Sequence, residues 1–310
     1  MAVKKLSIAR AVAMRLERFG FPVFLRYDIA RVAWGLYRAR RYGDLAIDVQ
    51  LNQLDYRAFT RVESALLETG VINPVPGMPE RSVFSLLGGN ISDKNSIACA
   101  IDPFSYISHL SAMEFHGLTD RMPERIYVST PANAAWTVFA RERMQKDLSE
   151  DFDAYWEAGL PKLKRVVVDK IGQRPIQRFA SVHLGAFRAL KDSPTRVSTL
   201  GRTFLDMLRE PNLCGGLSHV LQVFREHAPC YRRLIFDELD QQGTAIDKVR
   251  AGFILETVCK LQDPRIDAWV AFAARGGSRK LDATAEYAPQ FSDRWCLSIN
   301  ASLPLEASDD

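Results

Sequence analysis

The sequence predicts an α+β protein, with an N-terminal winged helix-turn-helix over residues 1–90 followed by a larger mixed α/β domain over residues 96–310 whose C-terminal part is helical. Three observations predict this. At 310 residues the chain is longer than one core usually supports. Its first 90 residues carry three helix-like segments and then a hairpin pattern. Beyond them, short apolar runs alternate with helical periodicity before the chain turns largely helical at Gly201.

The first helix is expected over 6–19, where Leu6, Ile8, Val12, Leu16 and Phe19 recur at helical spacing and Gly20 stops the run. A second runs from Asp28, a good N-cap, through Ile29, Val32, Ala33, Leu36 and Tyr37 and frays at Tyr42-Gly43. In the third, Asp55 caps a segment with Ala58, Phe59, Val62, Ala65 and Leu66 on one side, closed by Gly70. Val71-Ile72, the Pro/Gly-rich residues 73–79 and residues 83–87 form a hairpin with a rigid tip, and 88–95 read as a linker.

In the second domain, 96–101 reads as a strand, and Asp102 with Pro103 opens a helix that Gly117 ends after His116. Residues 125–129 and 165–170 are further strands, while 131–162 mix polar and aromatic residues without a usable period. Helices follow over 202–209, 217–227, 231–241 and 245–261, the last closed by Asp263-Pro264. A last strand is expected at 295–299 beyond Gly276-Gly277, and the acidic tail 306–310 is expected to be disordered.

Charge and residue type point to a polyanion. Residues 1–41 hold ten basic groups (Lys4, Lys5, Arg10, Arg15, Arg18, Arg26, Arg31, Arg38, Arg40, Arg41) against Glu17 and Asp28, a surplus of eight within a chain whose net charge is +4. On the third helix Arg57, Thr60, Arg61 and Ser64 recur at i, i+3, i+4 and i+7, forming one stripe of donors without a carboxylate. Arginine forks to guanine edges and hydroxyls reach bases or phosphates, so this stripe is the candidate base-reading face in a major groove. Arg38, Arg40, Arg41 and Arg81 are the candidate phosphate holders. One such module supplies few base contacts, so a homodimer on an inverted repeat of double-stranded DNA is expected.

Other classes find less support. Apolar runs such as Val166-Val167-Val168 and 268–274 fall short of the ~20 residues a membrane span needs. Arg10, Arg15, Glu17 and Arg18 break up any signal-peptide core, so a cytoplasmic protein is expected. Five scattered cysteines without a Cys-x-x-Cys pair suit reduced thiols. His109 and His116, with Glu114 nearby, lie two helical turns apart, and Cys214, His219, His227 and Cys230 match no paired zinc spacing, so packing roles and no metal are expected. Asp169-Lys170 lacks the second acid a nuclease strand needs. No Gly-x-Ser-x-Gly, phosphate-binding Gly-Lys-Ser/Thr loop or Gly-x-Gly-x-x-Gly occurs, and no cofactor and no enzyme activity is expected. A metal-dependent nuclease acting through Asp169, or a protein-interaction module, are the alternatives.

Residues 102–120 (DPFSYISHLSAMEFHGLTD), 123–129 (PERIYVS) and 201–216 (GRTFLDMLREPNLCGG) resemble AbiEi-type antitoxins and regulators of abortive-infection toxin-antitoxin systems. The resemblance covers roughly residues 96–262, and the N-terminal region agrees with it in architecture more than in residues. It implies a regulator that represses its own operon through the N-terminal domain while the C-terminal domain neutralises a toxin resembling a nucleotidyltransferase. Within these segments His109 and Glu114 are expected to serve the fold. Arg202, at the positive end of a helix, is expected to pair with a carboxylate or to meet a partner.

Overall fold

The structure, a computed structural model, describes residues 5–49, 53–89, 91–181, 184–273 and 279–303. Lys4, Gly276-Gly277 and the tail 306–310 lie outside the described residues. The fold is mixed α+β, and none of its described helices is long and apolar enough to cross a membrane. The chain divides into two compact units, one of residues 1–106, 129–184 and 189–196, the other of residues 107–128, 185–188 and 197–310. This differs from the expected division at 90–96: the unit that holds the first three helices also takes in 94–106 and 129–184.

The first unit begins with β1 (Leu6–Ser7), α1 (Ile8–Glu17), β2 (Phe24–Leu25), α2 (Arg26–Ala39), β3 (Arg41–Tyr42) and β4 (Leu45–Asp48). It continues with α3 (Tyr56–Glu68), β5 (Ile72–Pro74), β6 (Val83–Leu86) and α4 (Lys94–Ile101). Ser7 caps α1 by accepting from the Arg10 amide, and Asp55 caps α3 by accepting from the Ala58 amide at 2.7 Å. Asp28 is not the N-cap expected of it: α2 starts two residues earlier, and the Asp28 carboxylate accepts from the Leu25 amide at 3.0 Å. Burial pushes the Asp28 carboxyl above its ordinary range, against the Leu25 bond that lowers it.

The apolar faces of α1, α2 and α3 close on one another through Val12, Leu16, Ile29, Ala33, Phe59 and Leu66, all essentially without solvent contact. Each of the larger of these side chains contributes on the order of 1.5–3 kcal/mol. Two small sheets flank the helices. One has the order β1-β4-β3, with β1 parallel to β4, and the other the order β2-β6-β5, antiparallel throughout, with Ile72 opposite Leu86 and Phe24 opposite Phe84. The expected hairpin therefore forms, and β2 joins it as a third strand.

The stretch 131–162 folds as helices Asn133–Leu148 and Phe152–Glu157. Trp136, Ala140, Met144 and Leu148 are the buried residues of the first of these, four apart in single file, so its apolar stripe is one residue wide and too narrow to stand out in the sequence. Residues 96–101 are helical rather than extended. Asp93 caps α4 by accepting from the Asn95 and Ser96 amides, and a segment buried on most sides gives no alternation to separate helix from strand. Asp102 is no N-cap either: its carboxylate accepts from Thr130 Oγ1 at 2.7 Å and Trp136 Nε1 at 2.9 Å. Of 165–170 only Lys170 lies in a strand, Lys170–Ile171, antiparallel to Arg174–Ala180.

In the second unit the helix expected over 103–116 is confined to His109–Phe115, and Ile107 pairs in parallel with Val197. The strand Ile126–Thr130 falls where 125–129 was expected. The C-terminal part is helical: Leu200–Arg209, Leu217–Gln242, Ala245–Phe253, a π turn Ile254–Val258 and Pro264–Trp269. Leu217–Gln242 runs unbroken through Pro229, where two helices were expected. A proline inside a helix costs about 3 kcal/mol, which burial of Val220, Phe224, Ala228, Ile235 and Phe236 on both sides of it offsets. Asp263-Pro264 opens a helix instead of closing one: Asp263 caps it through the Arg265 amide. Of the last strand only Leu297–Ser298 forms, paired with Phe291–Ser292.

Candidate nucleic-acid interface

Helix α3 sorts its residues by face. Ala58, Phe59, Val62, Glu63 and Leu66 are buried, whereas Arg57 and Arg61 are exposed and Thr60 and Ser64 half-buried. The four residues of the expected stripe thus lie together on the outer side, as their spacing requires. The Thr60 hydroxyl donates to the Tyr56 carbonyl at 2.9 Å, which leaves its oxygen free to accept. Among the described residues Arg57 and Arg61 form no ion pair, so both guanidiniums keep their full complement of donors.

The expected phosphate holders are differently placed. Arg81 stands in the left-handed region at φ 51° and pairs with Glu63, a residue with no solvent exposure. Glu63 also takes Arg26 side-on, accepting from its Nε at 2.7 Å and its Nη2 at 2.8 Å on its two oxygens. That bond raises the Arg26 guanidinium above its ordinary value, against the opposing pull of burial. One carboxylate of α3 therefore ties the start of α2 to the hairpin tip. Arg38 pairs with Asp151 at 3.0 Å, and Arg41 donates to the Gly43 carbonyl at 3.0 Å and faces Asp44 at 3.8 Å. Arg40 is exposed and ends α2 in the left-handed conformation.

The surplus charge of 1–41 is accordingly reduced where α2 meets the helix Asn133–Leu148 and the turn after it. Arg31 faces Asp147 at 3.8 Å, Tyr27 donates to Asp147 and Trp34 Nε1 to Asp151, and the Tyr155 ring meets both Tyr27 and Trp34 edge-on. Neither Glu63 nor Arg26 was among the expected site residues. A signal for them existed: Glu63 falls four after Phe59 and three before Leu66, on the apolar side of α3, and a carboxylate there needs a cation from elsewhere.

The residues considered for metal or catalytic chemistry are not brought together. Among the described residues no three His, Cys, Asp or Glu side chains gather to hold a metal ion. His109 is buried with Nδ1 at 2.8 Å from the Ser108 hydroxyl, and His116 Nε2 lies 2.8 Å from the Ser198 carbonyl. His219 Nε2 lies 3.0 Å from Thr119 Oγ1, while His227 stacks on Tyr231 inside its helix, not at the helix end expected for it. Burial pushes the Cys214 thiol up, and Asp169 and Lys170 are both exposed. Arg202 meets a carboxylate one turn along its own helix: its Nε donates to Asp206 at 2.8 Å, with both side chains buried.

Fold and site together define a mixed α+β protein whose first unit carries an exposed, carboxylate-free stripe of two arginines and two hydroxyl residues on its third helix. No protein-family model matches the chain, and no curated protein matches it in sequence. Among solved structures it is similar to the RV2827C protein from Mycobacterium tuberculosis, at 12% sequence identity and a TM-score of 0.46 over 95% of this chain and 92% of that one.

Proposed function

We propose that the chain is a cytoplasmic DNA-binding transcriptional regulator, an autorepressor that grips double-stranded operator DNA through residues 1–90 as a homodimer on an inverted repeat. The carrying observation is the outer face of α3, where Arg57, Thr60, Arg61 and Ser64 offer donors and the helix's own mid-length carboxylate, Glu63, is turned inward. The element order supports the reading. Helix, strand, two helices and a hairpin, with β2 beside β6, is an order that a winged helix-turn-helix would have, here with the short β3–β4 hairpin between α2 and α3. In this reading Arg57, Thr60, Arg61 and Ser64 read bases, while Arg38, Arg40, Arg41 and Arg81 hold phosphates. The role as antitoxin, neutralising a nucleotidyltransferase-like toxin, rests on the resemblance of residues 102–129 and 201–216 alone.

The test is a titration of the purified chain against its own upstream DNA and a scrambled duplex at two salt concentrations. Tight binding to the upstream sequence only, weakening steeply with salt, is expected. Arg61→Ala should lose about 1–3 kcal/mol on the upstream sequence and relax its preference. Equal loss on both duplexes would remove Arg61 from base reading, and no binding to either would overturn the regulator. The antitoxin role is checked separately, by co-expression with the neighbouring open reading frame: growth arrest that this chain does not relieve counts against it.

A further inference from the structure

Beside α3, within the first unit, lies a cleft of about 720 Å³ of which the DNA reading uses only Arg81. Arg26, Tyr56 and Arg81 form one wall and Lys162, Lys164 and Arg165 another. Its charge is lopsided. Five cations meet Glu80 on the lining and two carboxylates behind it, Glu63 holding Arg26 and Arg81, and Asp102 at 3.9 Å from Arg165.

Its cations are of two kinds. Arg26 and Arg165 are recessed, their side chains 23% and 16% exposed, and each is anchored: Arg26 by Glu63, Arg165 by the Thr130 hydroxyl at 3.0 Å and by Asn133. Such arginines are fixed in place before a ligand arrives, which lowers the ordering cost of binding. Lys164 is exposed and forms no ion pair among the described residues, and Lys162 reaches over the Trp156 ring with Nζ 3.2 Å from its centre. The Tyr56 ring, with the Arg26 guanidinium 5.6 Å from its centre, adds a flat, partly exposed surface between the charges.

We propose that this cleft binds a small phosphorylated ligand of nucleotide size, its phosphates between Arg81, Lys164 and Arg165 and its ring against Tyr56. Fixed arginines with an exposed lysine suit phosphate oxygens, and an aromatic face beside them suits a base. Concavity separates this ligand from a DNA backbone. A duplex is convex and meets exposed cations, whereas two of the five here sit back in a recess that a free phosphate group can enter. The site stands independently of the DNA reading, although it shares Arg81 with it.

The test is calorimetric titration of the full chain with inorganic pyrophosphate and with adenosine 5′-monophosphate at low salt. Saturable binding at one site is expected for both, weakened about tenfold or more by Lys164→Glu, which reverses a charge at an exposed position. Arg57→Ala, on the outer face of α3, should leave both titrations unchanged. An unaltered unfolding transition checks that Lys164→Glu is folded. No heat from either probe up to about 10 mM would overturn the proposal, as would binding that Lys164→Glu leaves intact. If duplex DNA displaces pyrophosphate and Lys164→Glu weakens DNA and pyrophosphate equally, the cleft belongs to the DNA backbone and the small-ligand reading fails. A chain that binds no DNA at all still gives a decisive pyrophosphate titration.

Discussion

Glu63 makes the sharpest demand on the structure, because one wholly buried carboxylate answers two guanidiniums from different parts of the chain. Glu63→Gln keeps the shape of the side chain while removing its charge and turning one acceptor oxygen into a donor that faces a guanidinium. Breaking a buried pair costs about 3–5 kcal/mol when the orphaned partner has no water. Here the Arg26 and Arg81 side chains are 23% and 41% exposed, so water recovers part of that. A loss of about 2–3 kcal/mol remains, and for a cooperative unit of this size each kcal/mol lowers the midpoint by about 2–4 °C. The assay is thermal and urea unfolding together with amide exchange. The loss should appear in the unit that contains Trp34 and Trp136, with faster exchange in α3 and in residues 75–82, whose tip Arg81 holds. Glu68→Gln removes the same charge from the exposed end of the same helix and should stay within about 0.5 kcal/mol of the parent. A Glu63→Gln protein as stable as the Glu68→Gln protein would refute the clamp.

Two further predictions concern the second unit. A Cβ built on Gly252 would come within 2.0 Å of the Trp295 ring, which is 1% exposed and tethered by its Nε1 to Glu256 at 2.6 Å, so Gly252→Ala should destabilise by at least about 1–3 kcal/mol. An unchanged denaturation midpoint would show that the indole can move aside. Burial lowers His109, His116 and His219 below the ordinary 6.5 in the folded chain, so the unfolded chain takes up these protons first. Their stabilising contribution is complete above about pH 6.5 and is lost as the pH falls below it. Glu210 and Glu238, raised by burial, act in the opposite sense as the pH rises above the ordinary 4.5, so the histidine share is read by difference. His116→Gln should lose less stability than the parent between pH 7.5 and 5.5, and equal slopes in a denaturant series would refute the assignment.

The first three helices and the hairpin were legible because each carries its own signal, an apolar stripe on one side and a capping residue or stop glycine at an end. Asp55 and Gly70 bracket α3 this way, and the structure places that helix within a residue or two of expectation. What the sequence hid depended on partners. Asp28 looks like a cap because aspartate before an apolar run usually is one, yet the β2–β6 pairing lets α2 begin at Arg26. Asp102 before Pro103 has the same local appearance, but Thr130 and Trp136 claim its carboxylate from well down the chain. Pro229 interrupts a pattern that packing on both sides restores.

The candidate site divides along the same line. The Arg57–Ser64 stripe is a property of one helix and could be read from spacing alone, whereas the state of each remaining arginine depends on which carboxylate folds against it. Asp147 and Asp151 lie more than a hundred residues beyond Arg31 and Arg38, in the stretch whose period was too narrow to recognise. A count of basic residues over 1–41 therefore overstates the charge open to a polyanion. Arg26, Arg31, Arg38 and Arg41 all face carboxylates, which cost them part of their attraction for a phosphate. Arg57 and Arg61 carry no such cost, and for that reason affinity for DNA should concentrate on α3 more than the charge profile of the sequence suggests.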